Sequence, residues 1–390
     1  MPKYVNKLVE NFPEYLFNQI NYKKLEARQN GKDIIDLGYG NPDIPSNSIV
    51  VDKLIESAKI SKNHKYSVSK GIYGLRNAIS NRYKDIYEVE LDPDSNIVNT
   101  IGSKEGLTHL LMSILDEGDN VIVQDPSYPI HHFAPLIAKG NLIKVNCLDS
   151  DKFLEGVKEV LNKKNIKVLL VSFPHNPTTI SVDQQFFDEL ILLAKTHDFL
   201  VINDFAYSDV FFSDARPPSL LQSDKNLNYS VELYSLTKGY SMAGWRVGFA
   251  LGNKDVIGSL TKLKSYIDYG TFQPIQIAST VALRELNHFP IEVSNIYKER
   301  RDIVVEYLSN LNFTVQQSGA TMFVWAELPE KYKKDSIKFS LNLIESANLA
   351  VSPGIGFGEC GEGFIRIALV ENKQRIRQAM KNVQKFLEND

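Results

Sequence analysis

The chain has 390 residues, of which 43% are hydrophobic and 23% charged, and its formal net charge is −3 at pH 7. This length accommodates one large and one smaller domain, the composition is that of a globular protein, and the weak charge argues against nucleic acid as a partner. Cys147 and Cys360 are far apart and lack metal-type spacing, which favours neither a disulfide framework nor a metal site. No apolar run approaches the ~20 residues of a membrane span, and the charged N-terminal segment lacks the apolar core of a secretory signal. We therefore expect a cytoplasmic protein.

Before residue 96 the sequence predicts short helices separated by glycine-containing loops. Apolar residues have helical spacing at Val9, Phe12, Leu16 and Ile20, within 51–62, and from about Leu75. The segment DLGYGNP, which contains Tyr39 and Gly40, follows a short apolar run. Its glycines allow the backbone to approach a small ligand, although a plain strand-to-loop turn explains the same residues.

From Asn96 the pattern alternates strand with helix. Strands are predicted at 96–101, 120–124, 142–147, 166–173 and 199–203, with helices after Gly102, at 183–197 and at 254–266. After a helical stretch from 276 to 308 that breaks at Pro290, the tail predicts strands at 314–316, 322–327 and 364–369 and helices at 335–347 and 372–388. This order indicates an α/β fold with a mostly parallel sheet, followed by an α+β part. We predict a large domain at 49–288 and a smaller one formed by 1–48 and 289–390.

The predicted strand at 96–101 ends in a glycine turn that opens a helix at Ser103 and Lys104. Unpaired amides at a helix start attract anions, so both residues are candidates for binding a phosphate through their backbone. Many strand-to-helix turns have this appearance, and the spacing is not that of a nucleotide-binding P-loop.

The stretch from Glu232 to Gly248 reads ELYSLTKGYSMAGWRVG and surrounds Lys238 with small and hydroxylated residues. A lysine held at the end of a strand can form a Schiff base with a carbonyl cofactor. Ser235 and Arg246 would suit a phosphate, one as a hydroxyl donor and the other as a charged fork. An ordinary loop lysine with a surface arginine is the alternative. A further strand is predicted from Trp245 to Leu251.

The order Ser-x-Thr-Lys, followed eight residues later by Arg and then Val-Gly, resembles the cofactor-lysine motif of class I and II aminotransferases. These are pyridoxal 5′-phosphate enzymes of the aspartate aminotransferase fold, also called fold type I. Further matches run in order from about residue 38 to residue 372. The resemblance implies a large domain built on a mostly parallel sheet flanked by helices, a smaller α+β domain, and a homodimer.

The resemblance also implies a role for each matching residue. The expected catalytic residues are Lys238, Asp204 and Tyr207. The cofactor is expected to contact Ser103, Lys104, Tyr128, Asn176, Asp204, Tyr207, Ser235, Lys238, Arg246 and, across the dimer, Tyr66. Among these, Tyr128 packs on the ring, and Asn176 and Tyr207 donate to its phenolate oxygen. The substrate is expected to contact Tyr39, Gly40, Asn176 and Arg366.

Two of these residues are charges in apolar surroundings. Asp204 ends an apolar strand, where a carboxylate is costly without a partner, and the pyridine nitrogen of the cofactor would supply one. Arg366 lies within FIRIAL and would bind the substrate α-carboxylate as a bidentate pair. A helix N-cap for Asp204, a structural salt bridge for Arg366 and a plain surface position for Tyr66 are the alternatives.

Thr179 stands where most relatives have glycine, which is a small departure in the turn that carries Asn176. Gly356, Gly358 and Gly361 match the pattern G-x-G-x-x-G. The match precedes a predicted strand and no βαβ unit surrounds it, so we reject a dinucleotide site there.

The stretches YGTFQPIQ and IRIALVEN resemble in particular the bacterial glutamate–pyruvate (alanine) aminotransferases, a branch that overlaps with LL-diaminopimelate aminotransferases. Transfer between alanine and 2-oxoglutarate is therefore the favoured reaction. LL-diaminopimelate, aspartate or methionine transamination and a cysteine-S-conjugate β-lyase are the alternatives. Enzymes specific for dicarboxylates often add a second arginine; no matching arginine is identified here, and Lys264 or Lys70 are the lysines considered in its place. A transcription regulator with an aminotransferase-like domain is disfavoured, because the roughly 37 residues before the first motif are not strongly basic.

Overall fold

The computed structural model describes residue 4 and residues 6–10, 12, 17–316 and 318–389. Within these residues the α-helices are α1 (Lys7–Glu10), α2 (Phe17–Gln29), α3 (Ser48–Ala58), α4 (Tyr73–Tyr87), α5 (Ser103–Ile114), α6 (Pro129–Ile137), α7 (Ser150–Leu161), α8 (Gln184–His197), α9 (Lys254–Ile267), α10 (Gln273–Glu285), α11 (Phe289–Ser309), α12 (Ser336–Ala347) and α13 (Lys373–Asn389). The strands are β1 (Ile35–Asp36), β2 (Ile97–Thr100), β3 (Asn120–Asp125), β4 (Asn141–Asn146), β5 (Val168–Val171), β6 (Leu200–Asp204), β7 (Ser230–Ser235), β8 (Gly248–Gly252), β9 (Thr314–Val315), β10 (Phe323–Glu327), β11 (Leu349–Ala350), β12 (Ser352–Pro353) and β13 (Phe364–Ala368).

The main sheet contains seven of the described strands, in the order β2-β8-β7-β6-β5-β3-β4. Strand β8 runs antiparallel to both of its neighbours, and the other pairs are parallel. Leu169 packs in a cluster with residues of α7 and α8, whereas the next residue, Leu170, packs with residues of α5, α6 and α9. Both faces of the sheet are therefore covered, which explains why its central strands are continuously apolar rather than alternating. The predicted α/β fold with a mostly parallel sheet is confirmed.

The C-terminal part carries a second sheet with the order β12-β13-β10-β9, in which every pair is antiparallel. Strand β1 pairs in parallel with β11, with Ile35 opposite Leu349, so the N-terminal segment packs on the C-terminal part. Pro290 lies in the first turn of α11, where a missing backbone N–H costs nothing. The domain boundaries at 48/49 and 288/289 stay a prediction.

Some local predictions differ from the structure. The strand predicted from Trp245 begins only at Gly248, because Ala243–Trp245 form a 3₁₀ turn and Arg246 takes a left-handed conformation with φ of 57°. A left-handed residue cannot continue a strand. The single N-terminal helix is replaced by α1 and α2; Val9 and Ile20 lie on these helices, Phe12 lies between them, and Leu16 lies outside the described residues.

Thr179 has a φ of 66°, a backbone conformation that glycine adopts without steric cost and a β-branched residue rarely does. Its amide donates to the His175 carbonyl at 2.9 Å, which closes the turn around Asn176. The turn therefore has a glycine-like backbone although residue 179 is a threonine, the departure from the family pattern noted in the sequence.

No helix in the described part of the chain is long and apolar enough to cross a membrane.

Candidate active site

A cleft of about 360 Å³ opens at the carboxyl ends of the parallel strands, the edge at which α/β sheets usually bind ligands. Every site residue predicted from the sequence lines it except Tyr66. The predicted residues that the structure brings together are Tyr39, Gly40, Ser103, Lys104, Tyr128, Asn176, Asp204, Tyr207, Ser235, Lys238, Arg246 and Arg366. The cleft is also lined by residues that the sequence did not single out, namely Gly38, Asn41, Ile130, His131, Ser172, Ala206, Thr237, Ala243, Gly244, Phe323 and Phe357.

One end of the cleft is suited to an anion. Helix α5 starts at Ser103, and its first amides have no acceptor within the helix. Gly102 precedes them with φ of 77°, and a Cβ at that position would lie 2.3 Å from Arg246 Nη2. Glycine is therefore required for the Arg246 guanidinium to lie over the start of α5. Ser235 adds a hydroxyl, which donates to Thr237 Oγ1 at 2.7 Å.

Lys238 projects into the middle of the cleft. Its Nζ donates to the Gly40 carbonyl at 2.7 Å. Burial, followed by the positive charges of Arg366 and Arg246, lowers the pKa of Lys238 to about 7. The lowered pKa favours the neutral amine near pH 7, the form that can attack a carbonyl or accept a proton.

We predict that acetylation of Lys238, in protein freed of any cofactor, rises with pH and has its midpoint near 7, because only the neutral amine reacts. Lys23, whose pKa is raised by its hydrogen bond to Glu26, is the internal control and should react only at more alkaline pH. Competitive labelling with acetic anhydride between about pH 5 and pH 10, read by peptide mass spectrometry, measures both midpoints in one sample. A Lys238 midpoint at or above the ordinary lysine value of 10.5 would contradict the prediction.

Asp204 ends β6 with 8% of its surface exposed. His131 Nε2 lies 2.9 Å from its Oδ2, and His131 Nδ1 lies 2.7 Å from Ser127 Oγ. Its other oxygen, Oδ1, is buried and has no hydrogen-bond partner among the described residues, a costly arrangement unless a ligand supplies a donor. A turn follows Asp204, not a helix, so the N-cap alternative is wrong. The sequence signal for His131 was a histidine pair, 131 and 132, within the otherwise apolar α6.

Arg366 lies on β13 and is 6% exposed. Its Nη1 donates to Asn176 Oδ1 at 2.8 Å, and its Nη2 donates to the Gly38 carbonyl at 3.1 Å. The guanidinium carbon lies 4.1 Å from the ring centroid of Phe323 and 4.5 Å from that of Phe357. Both rings favour the cation electrostatically, so the arginine is held in one place.

Tyr207 and Tyr66 have different environments. Tyr207 is buried with its ring edge-on to Phe323, and burial raises the pKa of its hydroxyl, which therefore stays protonated as a donor. Tyr66 is 85% exposed, and its ring lies 4.6 Å from that of Tyr269, outside the cleft of its own chain. Its predicted contact across a dimer stays a prediction.

The two lysines considered for a substrate side chain lie elsewhere. Lys264 is fully buried, with its Nζ 3.0 Å from Glu105 Oε1 and 2.9 Å from Asp268 Oδ2. Lys70 pairs with Asp94. Neither lysine lines the cleft.

The profile of the family "Aminotransferase class I and II" matches residues 32–383. The chain belongs to this family. A putative aminotransferase, AatC, of Rhizobium meliloti (strain 1021) is 44% identical over 382 residues, which is 97% of this chain and 94% of that protein. The glutamate-pyruvate aminotransferase AlaC of Escherichia coli (strain K12) is 40% identical over 385 residues, 98% of this chain and 93% of that protein. An LL-diaminopimelate aminotransferase of Moorella thermoacetica is 38% identical over 381 residues, 97% of each chain.

This aminotransferase also matches solved structures. The substrate-bound BacF structure from Bacillus subtilis superimposes with a TM-score of 0.91 at 31% identity, covering 98% of this chain and 97% of that one. An aspartate aminotransferase from Thermotoga maritima has a TM-score of 0.91 at 27% identity, covering 98% of this chain and all of that one. The fold is therefore fold type I, and the chain is a pyridoxal-phosphate-dependent transaminase. Its family implies amino acids and 2-oxo acids as substrates.

Proposed function

We propose that this aminotransferase transfers the amino group of alanine to 2-oxoglutarate, giving pyruvate and glutamate, and works as a homodimer with pyridoxal 5′-phosphate in the cleft. The observation that carries the cofactor assignment is the buried Asp204 Oδ1, which has no hydrogen-bond partner in the described part of the chain and lies in the same cleft as the Lys238 amine. A ligand with a cationic ring N–H at one end and an aldehyde at the other would satisfy both groups.

The other residues of the cleft fit the same cofactor. The start of α5, with Ser103 and Lys104, together with Ser235 and Arg246, would hold its phosphate. At the ring, Tyr128 would pack on the face, and Asn176 and Tyr207 would donate to the phenolate oxygen. Pyridoxal phosphate, when bound, supplies an electron sink for charge that develops at the substrate α-carbon.

Side chains of this protein would bind the substrate, transfer the proton and contact the ring nitrogen. Arg366 would bind the substrate α-carboxylate with two parallel N–H groups. Lys238, partly neutral at pH 7, would take the proton from the α-carbon and return it at the other end of the reacting system. Asp204, held by His131, would face the ring nitrogen. The ring centroids of Phe323 and Phe357 lie 4.1 and 4.5 Å from the guanidinium carbon of Arg366.

The charges in the cleft bear on the side chains of the two proposed substrate pairs. The lysine and arginine side chains that line it are those of Lys104, Lys238, Arg246 and Arg366. The proposal assigns Lys238 to the proton, Arg246 to the phosphate and Arg366 to the α-carboxylate, whereas Lys104 acts through its backbone. Among the described residues that line the cleft, the Lys104 side chain is therefore the cation left for the second carboxylate of glutamate or 2-oxoglutarate, and the uncharged side chain of alanine needs no such partner. The likeness to AlaC, a glutamate-pyruvate aminotransferase, supports alanine; the likeness to an LL-diaminopimelate aminotransferase makes that substrate the second candidate.

The homodimer is supported by exposed apolar side chains near Tyr66. Val68, Tyr269 and Phe272 are 58%, 59% and 42% exposed and belong to segments adjacent in the structure. A cluster of this kind on a surface is typical of a face that another protein covers. In the proposed dimer Tyr66 would reach the cofactor phosphate held by the second copy.

The proposal is tested by titrating the cofactor-loaded protein separately with alanine, glutamate, aspartate and LL-diaminopimelate. We expect alanine and glutamate to bleach the visible band of the bound cofactor, and pyruvate or 2-oxoglutarate to restore it. Bleaching by LL-diaminopimelate but not by alanine would replace the substrate assignment. Pyruvate formed from a cysteine S-conjugate without an amino acceptor would indicate the β-lyase alternative.

A further inference from the structure

The glycine-rich segment 354–361 carries Phe357 into the cleft. Phe357 is 1% exposed, and its ring centroid lies 4.5 Å from the guanidinium carbon of Arg366. Trp325 packs edge-on against the same ring, with centroids 6.0 Å apart. The ring therefore lies between Trp325 of the second sheet and the arginine.

The backbone of this segment packs closely on the turn before α6. The Ser127 amide donates to the Phe357 carbonyl at 2.7 Å. The next residue, Gly358, has φ of 135°, and a Cβ there would lie 1.8 Å from Asp125 Oδ1. A residue with a side chain at 358 would push the segment off the turn, so the glycine fixes the position of Phe357 relative to Arg366.

We propose that Phe357 is a positioning residue for recognition of the substrate carboxylate. An arginine side chain has several rotatable bonds, and ordering it before the ligand arrives reduces the entropy lost on binding. The Phe357 ring orders the guanidinium through a cation–π contact and keeps water from it. The inference rests on the proposed role of Arg366, and it extends to both halves of the reaction, because every amino acid and 2-oxo acid presents the same carboxylate.

The test uses cofactor-loaded protein and propionate, a carboxylate without an amino or oxo group, with its Kd measured by calorimetry. Phe357→Leu should weaken propionate binding about tenfold. It should raise KM for alanine and for pyruvate by the same factor while leaving kcat and the cofactor Kd unchanged. Phe357→Tyr, which keeps the ring, should restore the affinity. Phe357→Met repeats the loss with a longer side chain should the leucine variant not fold.

The matched control is Phe364→Leu. Phe364 stacks on Trp325 with centroids 5.1 Å apart and does not line the cleft, so its loss loosens the same aromatic cluster without removing a ring from the cleft. We expect wild-type affinity for propionate in this variant. Equal weakening by Phe357→Leu and Phe364→Leu, or wild-type affinity in Phe357→Leu, would overturn the inference.

Arg366→Lys separates this inference from the proposed function. A point charge cannot replace a bidentate fork, so this variant should lose most of its propionate affinity. If Arg366→Lys weakens binding and Phe357→Leu does not, only the positioning role is wrong. If Arg366→Lys binds propionate as the wild type does, the carboxylate role of Arg366 fails and the inference fails with it.

Discussion

Replacing Lys238 by alanine is expected to lower transamination by a factor of ~10⁴ or more, because the covalent amine and the proton carrier are lost together. The protein should stay folded, since Lys238 lies at the cleft and the hydrogen bond of its amine, to the Gly40 carbonyl, joins a side chain to a loop. The measurement is the rate of pyruvate formation from alanine and 2-oxoglutarate, with the visible band of the bound cofactor as a second readout. Both should be lost in the variant.

Lys70→Ala is the control for this experiment. Lys70 is a surface lysine that pairs with Asp94 and lies outside the cleft. Its replacement should leave the rate and the absorbance unchanged. Measurable transamination by Lys238→Ala would contradict the assignment of Lys238 as the cofactor lysine, and with it the proposed function of the cleft.

The second large effect concerns stability: Asp209→Asn should destabilise the protein by about 3–5 kcal/mol, the usual result of removing one partner from a buried ion pair. Asp209 is 2% exposed, and its Oδ1 accepts from Arg82 Nη2 at 2.6 Å and from Arg216. Tyr234 donates to its Oδ2 at 2.5 Å. The variant leaves two guanidinium groups without their counter-charge. A Cβ at Gly239 would lie 2.4 Å from Asp209 Cβ, so this network packs against the residue that follows Lys238 in the chain.

The measurement is the free energy of unfolding from urea denaturation. Asp33→Asn is the matched control, because Asp33 pairs with both terminal nitrogens of Arg375 at 2.6 and 2.7 Å but lies at the surface, where such pairs contribute little. We expect no measurable change in that variant. Equal urea concentrations at the midpoint of unfolding for Asp209→Asn and the wild type would contradict the prediction.

The direction in which stability changes with pH follows from the same ion-pair network around Asp209. Burial by itself would raise the pKa of Asp209, but the charges of Arg82 and Arg216 outweigh it and hold the pKa below its ordinary value of 3.8. The stabilisation is therefore fully present above pH 3.8 and is lost as the pH falls through the lower, folded-state pKa. Acidification in that range should reduce the difference in the free energy of unfolding between the wild type and Asp209→Asn.

Most site residues were predictable because they follow the ends of predicted strands. Tyr128, Asn176 and Asp204 come shortly after or at the ends of β3, β5 and β6, and parallel strands end at one edge of the sheet. Strand and helix periodicity placed these ends to within a few residues, since buried strands and amphipathic helices differ in their apolar pattern. The spacing from Lys238 identified Arg246 as a site residue. Its left-handed backbone was not predicted, because the sequence has no glycine at that position to indicate such a conformation.

The sequence by itself determined the fold class through local periodicity, and the family and twelve of the residues that line the cleft through motifs that resemble those of known aminotransferases. Tertiary structure alone decided which groups act on one another. His131 meets Asp204 across 73 residues of chain, and Arg366 meets Gly38 across 328. The pKa of Lys238 near 7 likewise depends on burial and on arginines brought close by folding. Distances between residues far apart in sequence set charge interactions and ring contacts, and no local pattern encodes them.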